Sequence, residues 1–301
     1  MKTNTLQDYK KRLLPVLTHI QQRLDEHLEL AELAALAHFS PFHFHRIFRG
    51  MVGESLQEHI RRLRLERAAW RLSYSRQAVT GIAFDAGYES HEAFTRAFHA
   101  AFGMSPSRFR VLRQPRSLAQ ASHAPSGVHY REDQRLTNFK TMKPNPQNET
   151  ITIQTVPARR VAYVRHTGPY AECGKAWDKL CAYLGKEGML GAGMLFIGLS
   201  YDDPEVTPPA KIRYDACVTV DETFKPEGEI GLQIIPGGEY AVATHFGPYD
   251  QLSQTYARIL GQWLPRNGRE PGNNPCCEIY QNDPNTTAPE DLVTDVYVRL
   301  K

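Results

Sequence analysis

Residues 40–55 read SPFHFHRIFRGMVGES, and residues 90–105 read SHEAFTRAFHAAFGMS. The two stretches align at an offset of fifty: Ser40, Phe44, Arg46, Phe48, Gly53 and Ser55 match Ser90, Phe94, Arg96, Phe98, Gly103 and Ser105. Ser40 offers a side-chain acceptor at a helix start, and Pro41 follows where a missing N–H costs nothing. Ser90 repeats the cap, with Glu92 placed to favour the dipole in the first turn. Ser55-Leu56-Gln57-Glu58 is a capping box, and Ser105-Pro106 repeats the Ser-Pro start. Gly53 and Gly103 suit the C-terminal stops. Phe44 and Phe48, like Phe94 and Phe98, lie four apart and should face a core. That leaves Phe42, His43, His45 and Arg46 on the outer part of the first helix, and His91, Glu92, Thr95 and Arg96 on that of the second.

Each repeated helix follows a short helix and a tight turn, LAELAALA before Ser40 and VTGIAFDAG before Ser90. Small Ala34 and Ala83 permit the close crossing that a helix-turn-helix requires. Between the copies, residues from Ser55 to about Ser73 read as one helix, with Leu56, Ile60 and Leu63 on one side and Arg61, Arg62, Arg64 and Arg67 on the others. Such a spacer could hold two recognition helices ~34 Å apart, so that one chain enters successive major grooves of DNA. One helix-turn-helix pattern is weak evidence; two copies, each with an outward arginine, are much stronger. His38, His43 and His45 have no cysteine or carboxylate at ligand spacing, so no metal site is expected there.

The chain has 301 residues, 41% of them hydrophobic and 23% charged, which suits two globular domains. No stretch approaches the ~20 apolar residues of a membrane helix. The first ten residues lack the apolar core of a signal peptide, so a cytoplasmic protein is expected. The five cysteines are an odd number without CxxC spacing, which implies neither a disulfide framework nor structural zinc. The overall charge of +3 divides unevenly: +6 over residues 1–113, +2 over 114–150 and −5 over 151–301. A basic front suits a polyanion, and an acidic rear suits neutral or cationic ligands.

Composition shifts at the same boundaries. Residues 1–113 read as an all-α double helix-turn-helix domain, residues 114–150 as a Pro-, Ser- and Asn-rich linker, and residues 151–301 as an α+β domain with an antiparallel sheet. The last segment is duplicated as well. RRVAYVRHTGPY and GEYAVATHFGPY align at an offset of seventy-nine, each followed by a helix. Two strand–helix units should place both helices on one face of the sheet and leave a cleft between them. Aromatic residues that could line it include Tyr163, Trp177, Tyr183, Phe196, Tyr214, Trp263 and Tyr280. Glu278 in CCEIYQND sits inside an apolar strand, with Tyr280 two residues later on the same face. An inward carboxylate is costly without a cation or donor, and among aromatic rings it favours lipophilic cations. A solvent-facing or internally paired Glu278 is the bland alternative.

Over about residues 15–113 the sequence resembles the AraC/XylS family of transcription regulators, on FSPFHFHRIFRGMVGESL, RRLRLERAAWRL and GYESHEAFTRAFHAAFGMSPSRFR. The resemblance implies a seven-helix domain whose helices from Pro41 and His91 enter the major groove. Phe42, His45 and Arg46 would belong to the first, and His91, Glu92, Thr95 and Arg96 to the second. Arg46 and Arg96 would be the best guanine readers, since guanidinium matches O6 and N7 bidentately. Both could instead bind phosphate.

From about Thr150 onward the chain resembles the GyrI-like (SHS2-type) small-molecule-binding domain, on HTGPY, GLSYDDPEVTPPAKIRYDACV, IPGGEYAVATHFGPY and CCEIYQNDPNTTAPEDLVTDVYV. This implies a lipophilic, often cationic or amphipathic ligand, with Glu278 at the acidic pocket position; Tyr280, Trp177, Tyr163 and Phe196 are the aromatic candidates expected to contact it. The pair of domains is the arrangement of Rob-like regulators. Expected partners are double-stranded DNA and a lipophilic or cationic small molecule, with RNA polymerase a further candidate and no membrane. No catalytic residue, metal or cofactor is expected. The rival readings are a GyrI-like hydrolase in which Glu278 activates water, and a drug-sequestering module carried on a DNA-binding domain.

Overall fold

A computed structural model of the chain describes residues 5–26, 28–112, 123–132, 136–143, 150–202, 204 and 207–301. They fall into two compact units. One comprises Met1–Leu6, Ser40–Gly50 and Lys143–Lys301, and the other Gln7–Phe39 and Met51–Met142.

Among the described residues, seven helices precede the first strand: α1 (Thr5–Gln22), α2 (Leu30–Leu36), α3 (Pro41–Val52), α4 (Leu56–Tyr74), α5 (Val79–Asp85), α6 (His91–Phe102) and α7 (Pro106–Leu112). Their ends form by the expected chemistry. The Ser55 side chain accepts from Glu58 N while Glu58 reaches back to Ser55 N, Ser90 Oγ accepts from Ala93 N, and Gly103 closes α6 at φ 71°. Ala83 is fully buried beside the α5–α6 turn, where Gly87 takes φ 82°. The α2–α3 turn needs the same left-handed step and takes it with His38 at φ 53°, a conformation unfavourable for a residue with a Cβ. Phe94, Phe98, Phe102 and Phe109 pack with Leu65, Leu72 and Ile82 as one core of the helical unit.

The arginines of α4 are largely structural rather than free surface charge. Arg62 bridges Glu54 and Glu66 and donates to the Val128 carbonyl, Arg64 donates to the Leu24 carbonyl, and Arg67 forks onto Asp25. The segment expected as a linker contributes to this unit too: Ser126, Val128 and Phe139 are buried, and Tyr130 N donates to Glu66. Residues 114–122, 133–135 and 144–149 of that segment lie outside the described residues.

Among the described residues the other unit is built on eight antiparallel strands: β1 (Thr152–Val156), β2 (Arg159–Thr167), β3 (Phe196–Ser200), β4 (Arg213–Thr219), β5 (Gly231–Ile235), β6 (Gly238–Phe246), β7 (Cys276–Tyr280) and β8 (Val293–Arg299). Their order is β1-β6-β8-β7-β3-β4-β2-β5. The duplication is visible in that order, because β1-β6-β8-β7 and β5-β2-β4-β3 are two copies of one four-strand arrangement joined at β7 and β3. Helix α8 (Gly174–Lys186) belongs to one copy. Helix α9 (Leu252–Ala257) belongs to the other and runs on through a π-helical stretch, Arg258–Trp263, and a last turn, Leu264–Arg266. The repeated motif folds alike in both: His166 bonds the Pro169 carbonyl and His245 the Pro248 carbonyl, across Gly168 at φ 147° and Gly247 at φ 112°.

Candidate functional site

The site forms where the two copies meet. In the β3–β7 ladder Gly198 pairs with Glu278, the midpoints of two five-residue strands. Cys277 and Ile279 join the core on one face of the sheet, so the alternation sends Glu278 and Tyr280 to the other. Glu278 is 5% exposed. Oε1 accepts from Ser200 Oγ at 2.7 Å and from Tyr256 Oη at 2.6 Å, and Oε2 accepts from Tyr280 Oη at 2.6 Å. Behind Tyr280 the relay continues: Tyr214 Oη lies 2.9 Å from Tyr280 Oη and accepts from Trp177 Nε1 at 3.1 Å. Three hydroxyl donors thus satisfy a buried carboxylate that an apolar strand alone could not hold.

Aromatic rings surround the acid. Trp177 lies 5.8 Å from Tyr280 and 6.1 Å from Phe196, Tyr249 lies 5.4 Å from Tyr280, and Tyr170 lies 6.0 Å from Tyr214, all between ring centroids. Phe196 and Tyr249 keep about a third of their surface in solvent, at 36% and 37%, and stand against Trp177 and Tyr280 respectively. Burial, then the Glu278 charge, push the hydroxyl pKa values of Tyr214, Tyr256 and Tyr280 well above the usual phenol value, so they remain donors. Gly198 makes the geometry possible. A Cβ there would stand 2.5 Å from both the Tyr214 and the Tyr280 hydroxyl oxygens.

Of the expected ligand residues, Glu278, Tyr280, Trp177 and Phe196 come together. Tyr163 does not join them; it packs with Val161, Ile197 and Cys217 on the opposite face of the sheet. Ser200 and Tyr256 were not singled out, though the sequence carries a signal for the tyrosine. Trp177 shifted by the repeat offset of seventy-nine falls on Tyr256, so the duplication places one ring from each helix beside the acid. Clefts of about 620 Å³, lined by Arg160, Asp221 and Ile234 among others, and about 370 Å³, lined by Arg61, Phe102 and His123 among others, lie away from Glu278.

The two expected recognition helices differ. On α6, His91, Glu92 and Arg96 are exposed and Thr95 is half-buried, above the buried Phe94 and Phe98. On α3, Phe42 and His45 are half-buried, while His43 and Arg46 are buried at 1% and 7% exposure. Burial, then the Arg46 charge, lower the His43 pKa to about 4, so the ring is neutral. Burial works against the Arg46 charge, but Cys276, Tyr256, Tyr170 and Glu278 more than offset it and raise its pKa.

Among the described residues no group of three metal-ligating side chains is found, and no helix is long and apolar enough to cross a membrane. Residues 149–301 match the family model described as the GyrI-like small molecule binding domain, and residues 33–111 match one described as a helix-turn-helix domain. The chain is similar to the probable transcriptional regulator YgiV of Escherichia coli (strain K12), 37% identical over 34% of this chain, and spans 65% of that relative's length. It is also similar to a DNA gyrase inhibitor of Yersinia enterocolitica, 32% identical over 42% of this chain and 82% of the relative. The right origin-binding protein of Escherichia coli (strain K12) is 30% identical over 47% of this chain and 44% of its own length.

Proposed function

We propose that this chain, which belongs to the family of GyrI-like small molecule binding domains and carries an AraC-type helix-turn-helix domain, is a ligand-responsive transcription regulator acting in the cytoplasm. Residues 33–111 bind duplex DNA through α3 and α6, with Phe42, His43, His45 and Arg46 on one helix and His91, Glu92, Thr95 and Arg96 on the other. Residues 149–301 receive a lipophilic cation, with Trp177, Phe196 and Tyr280 as aromatic walls and Glu278 as counter-charge. RNA polymerase is the partner through which such a regulator would act.

The observation that carries the ligand class is the acid itself. A buried carboxylate beside partly exposed aromatic rings offers a cation both charge and ring faces, and gives a neutral molecule of equal size only the rings. Glu278→Gln keeps the shape and removes the charge. It should cost a cation such as tetraphenylphosphonium roughly 1–3 kcal/mol, the difference between charge-assisted and neutral contacts, and cost a neutral ligand much less. Titration followed by tryptophan fluorescence measures both, and equal losses would remove the charge from recognition. Binding is favoured over hydrolysis because hydroxyl donors already occupy both Glu278 oxygens, which leaves water activation unsupported. Turnover of candidate compounds on incubation would reverse that choice.

A further inference from the structure

The repeat makes α3 and α6 equivalent in sequence, yet only the reading face of α6 stands open. What covers α3 is the rest of its own unit. Phe42 meets the Tyr201 ring edge-on at 6.1 Å. His43 Nε2 donates to the Gly272 carbonyl at 3.1 Å, and its Nδ1 faces the Cys276 thiol at 3.8 Å. Arg46 Cζ lies 3.8 Å from the Tyr256 ring centroid. Two glycines let the backbones touch: a Cβ on Gly50 would stand 2.7 Å from Gly261 Cα, and one on Gly261 2.6 Å from Gly50 Cα.

A guanidinium so buried needs a counter-charge, and the carboxylate among the groups acting on it is Glu278, reached through Tyr256. Among the described residues Arg46 Nη1 has no hydrogen-bond partner, so charge and ring stacking hold it rather than a full set of directional bonds. We propose that Arg46 is an internal cation for Glu278 that keeps α3 docked away from DNA, and that a lipophilic cation entering beside the aromatic rings takes over that charge and releases α3 to the major groove. This rests on the reading that Glu278 receives a cation and that α3 reads DNA.

The coupling follows from charge balance. One carboxylate neutralises one cation, and a second positive charge beside it in a buried site is left uncompensated. Ligand and docked Arg46 therefore disfavour each other. Linkage makes this reciprocal: docking weakens the ligand by the same factor that the ligand weakens docking.

The test uses the full chain, tetraphenylphosphonium and labelled random-sequence duplex DNA. Arg46→Ala removes the competitor and should bind tetraphenylphosphonium about tenfold more tightly than the wild type, because no fraction of its sites is self-occupied. In the wild type the cation should lower the hydrogen-exchange protection of the amides of residues 42–50 and tighten DNA binding. Gly261→Leu, which touches neither DNA nor Glu278, should tighten DNA binding without any cation. If Glu278→Gln loses the cation while Arg46→Ala binds it no better than wild type, the ligand reading stands and the internal-cation proposal falls. If Glu278→Gln binds as well as wild type, the ligand reading falls and takes this proposal with it. Should Gly261→Leu fail to fold, exchange in the wild type decides, and unchanged protection at saturating tetraphenylphosphonium overturns the proposal.

Discussion

Arg46 and Tyr256 stack with the guanidinium carbon 3.8 Å from the ring centroid, and the same tyrosine gives its hydroxyl to Glu278 at 2.6 Å. Ring and acid form one electrostatic unit, so the two charged residues should behave as partners in folding. Glu278→Gln leaves a buried guanidinium without its counter-charge and should cost about 3–5 kcal/mol. Arg46→Ala in that background should cost less than in the wild type. Urea unfolding of both single variants and the double variant measures the coupling, and strict additivity would mean the two charges do not interact.

Gly198 carries a second prediction. A methyl group would press on the Tyr214 and Tyr280 hydroxyl oxygens at 2.5 Å, both in the relay from Trp177 to Glu278. Gly198→Ala should destabilise by roughly 1–3 kcal/mol, as overpacking does, and should alter Trp177 fluorescence. A stable variant with an unchanged spectrum would show that the tyrosines yield without cost.

Much of this site was legible, for reasons that differ residue by residue. Glu278 stood out because a carboxylate breaks an apolar strand, and period-two alternation put Tyr280 beside it. Ser90, Ser55 and Gly103 announced the helix ends because capping is local chemistry. Tyr163 misled because composition counts rings without saying which face of the sheet they occupy, and an adjacent strand position is the opposite face. The covering of His43 and Arg46 had no local signal. Amphipathicity reports that a face is polar, not whether solvent or another part of the chain meets it. Arg62 and Arg67 illustrate the same limit: their spacing is that of surface charge, and carboxylates off the helix, at Glu54 and at the distant Asp25, absorb it.

His43 should make the seating of α3 sensitive to acid. Its pKa in the folded chain is about 4 against an ordinary 6.5, so its contribution is complete above pH 6.5 and is lost as pH falls toward 4. The groups around it, the Arg46 charge and the Cys276 thiol with the Gly272 and Asn274 backbone, offer a second ring proton no anionic partner. Up to about 3 kcal/mol follows from a shift of that size. Exchange of amides 42–50, corrected for intrinsic rates, should quicken on acidification through this window. His43→Gln should flatten the dependence, and a profile unchanged by it would place the pH effect elsewhere.

Glu54 predicts a lower window for the helical unit. Burial opposes its charge, but hydrogen bonds from His59 and Arg62 prevail and hold its pKa at about 2 against 4.5. Its contribution is present above pH 4.5 and disappears as pH falls to about 2. Urea unfolding of wild type and Glu54→Gln should differ by roughly 3 kcal/mol near neutrality and converge in strong acid. A constant gap across that range would mean the variant acts through shape, not charge.

The contrast between α3 and α6 yields the last prediction. Arg96 stands exposed on α6 and Arg46 is buried on α3, although the repeat gives them the same place in their helices. Without ligand, then, DNA should be held mainly through α6. Arg96→Ala should cost about 1–3 kcal/mol on a preferred site if it reads a guanine, and the same amount on every sequence if it meets phosphate. Arg46→Ala under the same conditions should cost nothing and should tighten binding slightly, because the docked helix makes no contact through Arg46 and the variant no longer holds α3 docked. With tetraphenylphosphonium present both substitutions should weaken binding, and the salt dependence of the wild type should steepen as α3 adds its own phosphate contacts. Equal losses for Arg46→Ala with and without the cation would mean that α3 reads DNA regardless of what Glu278 holds.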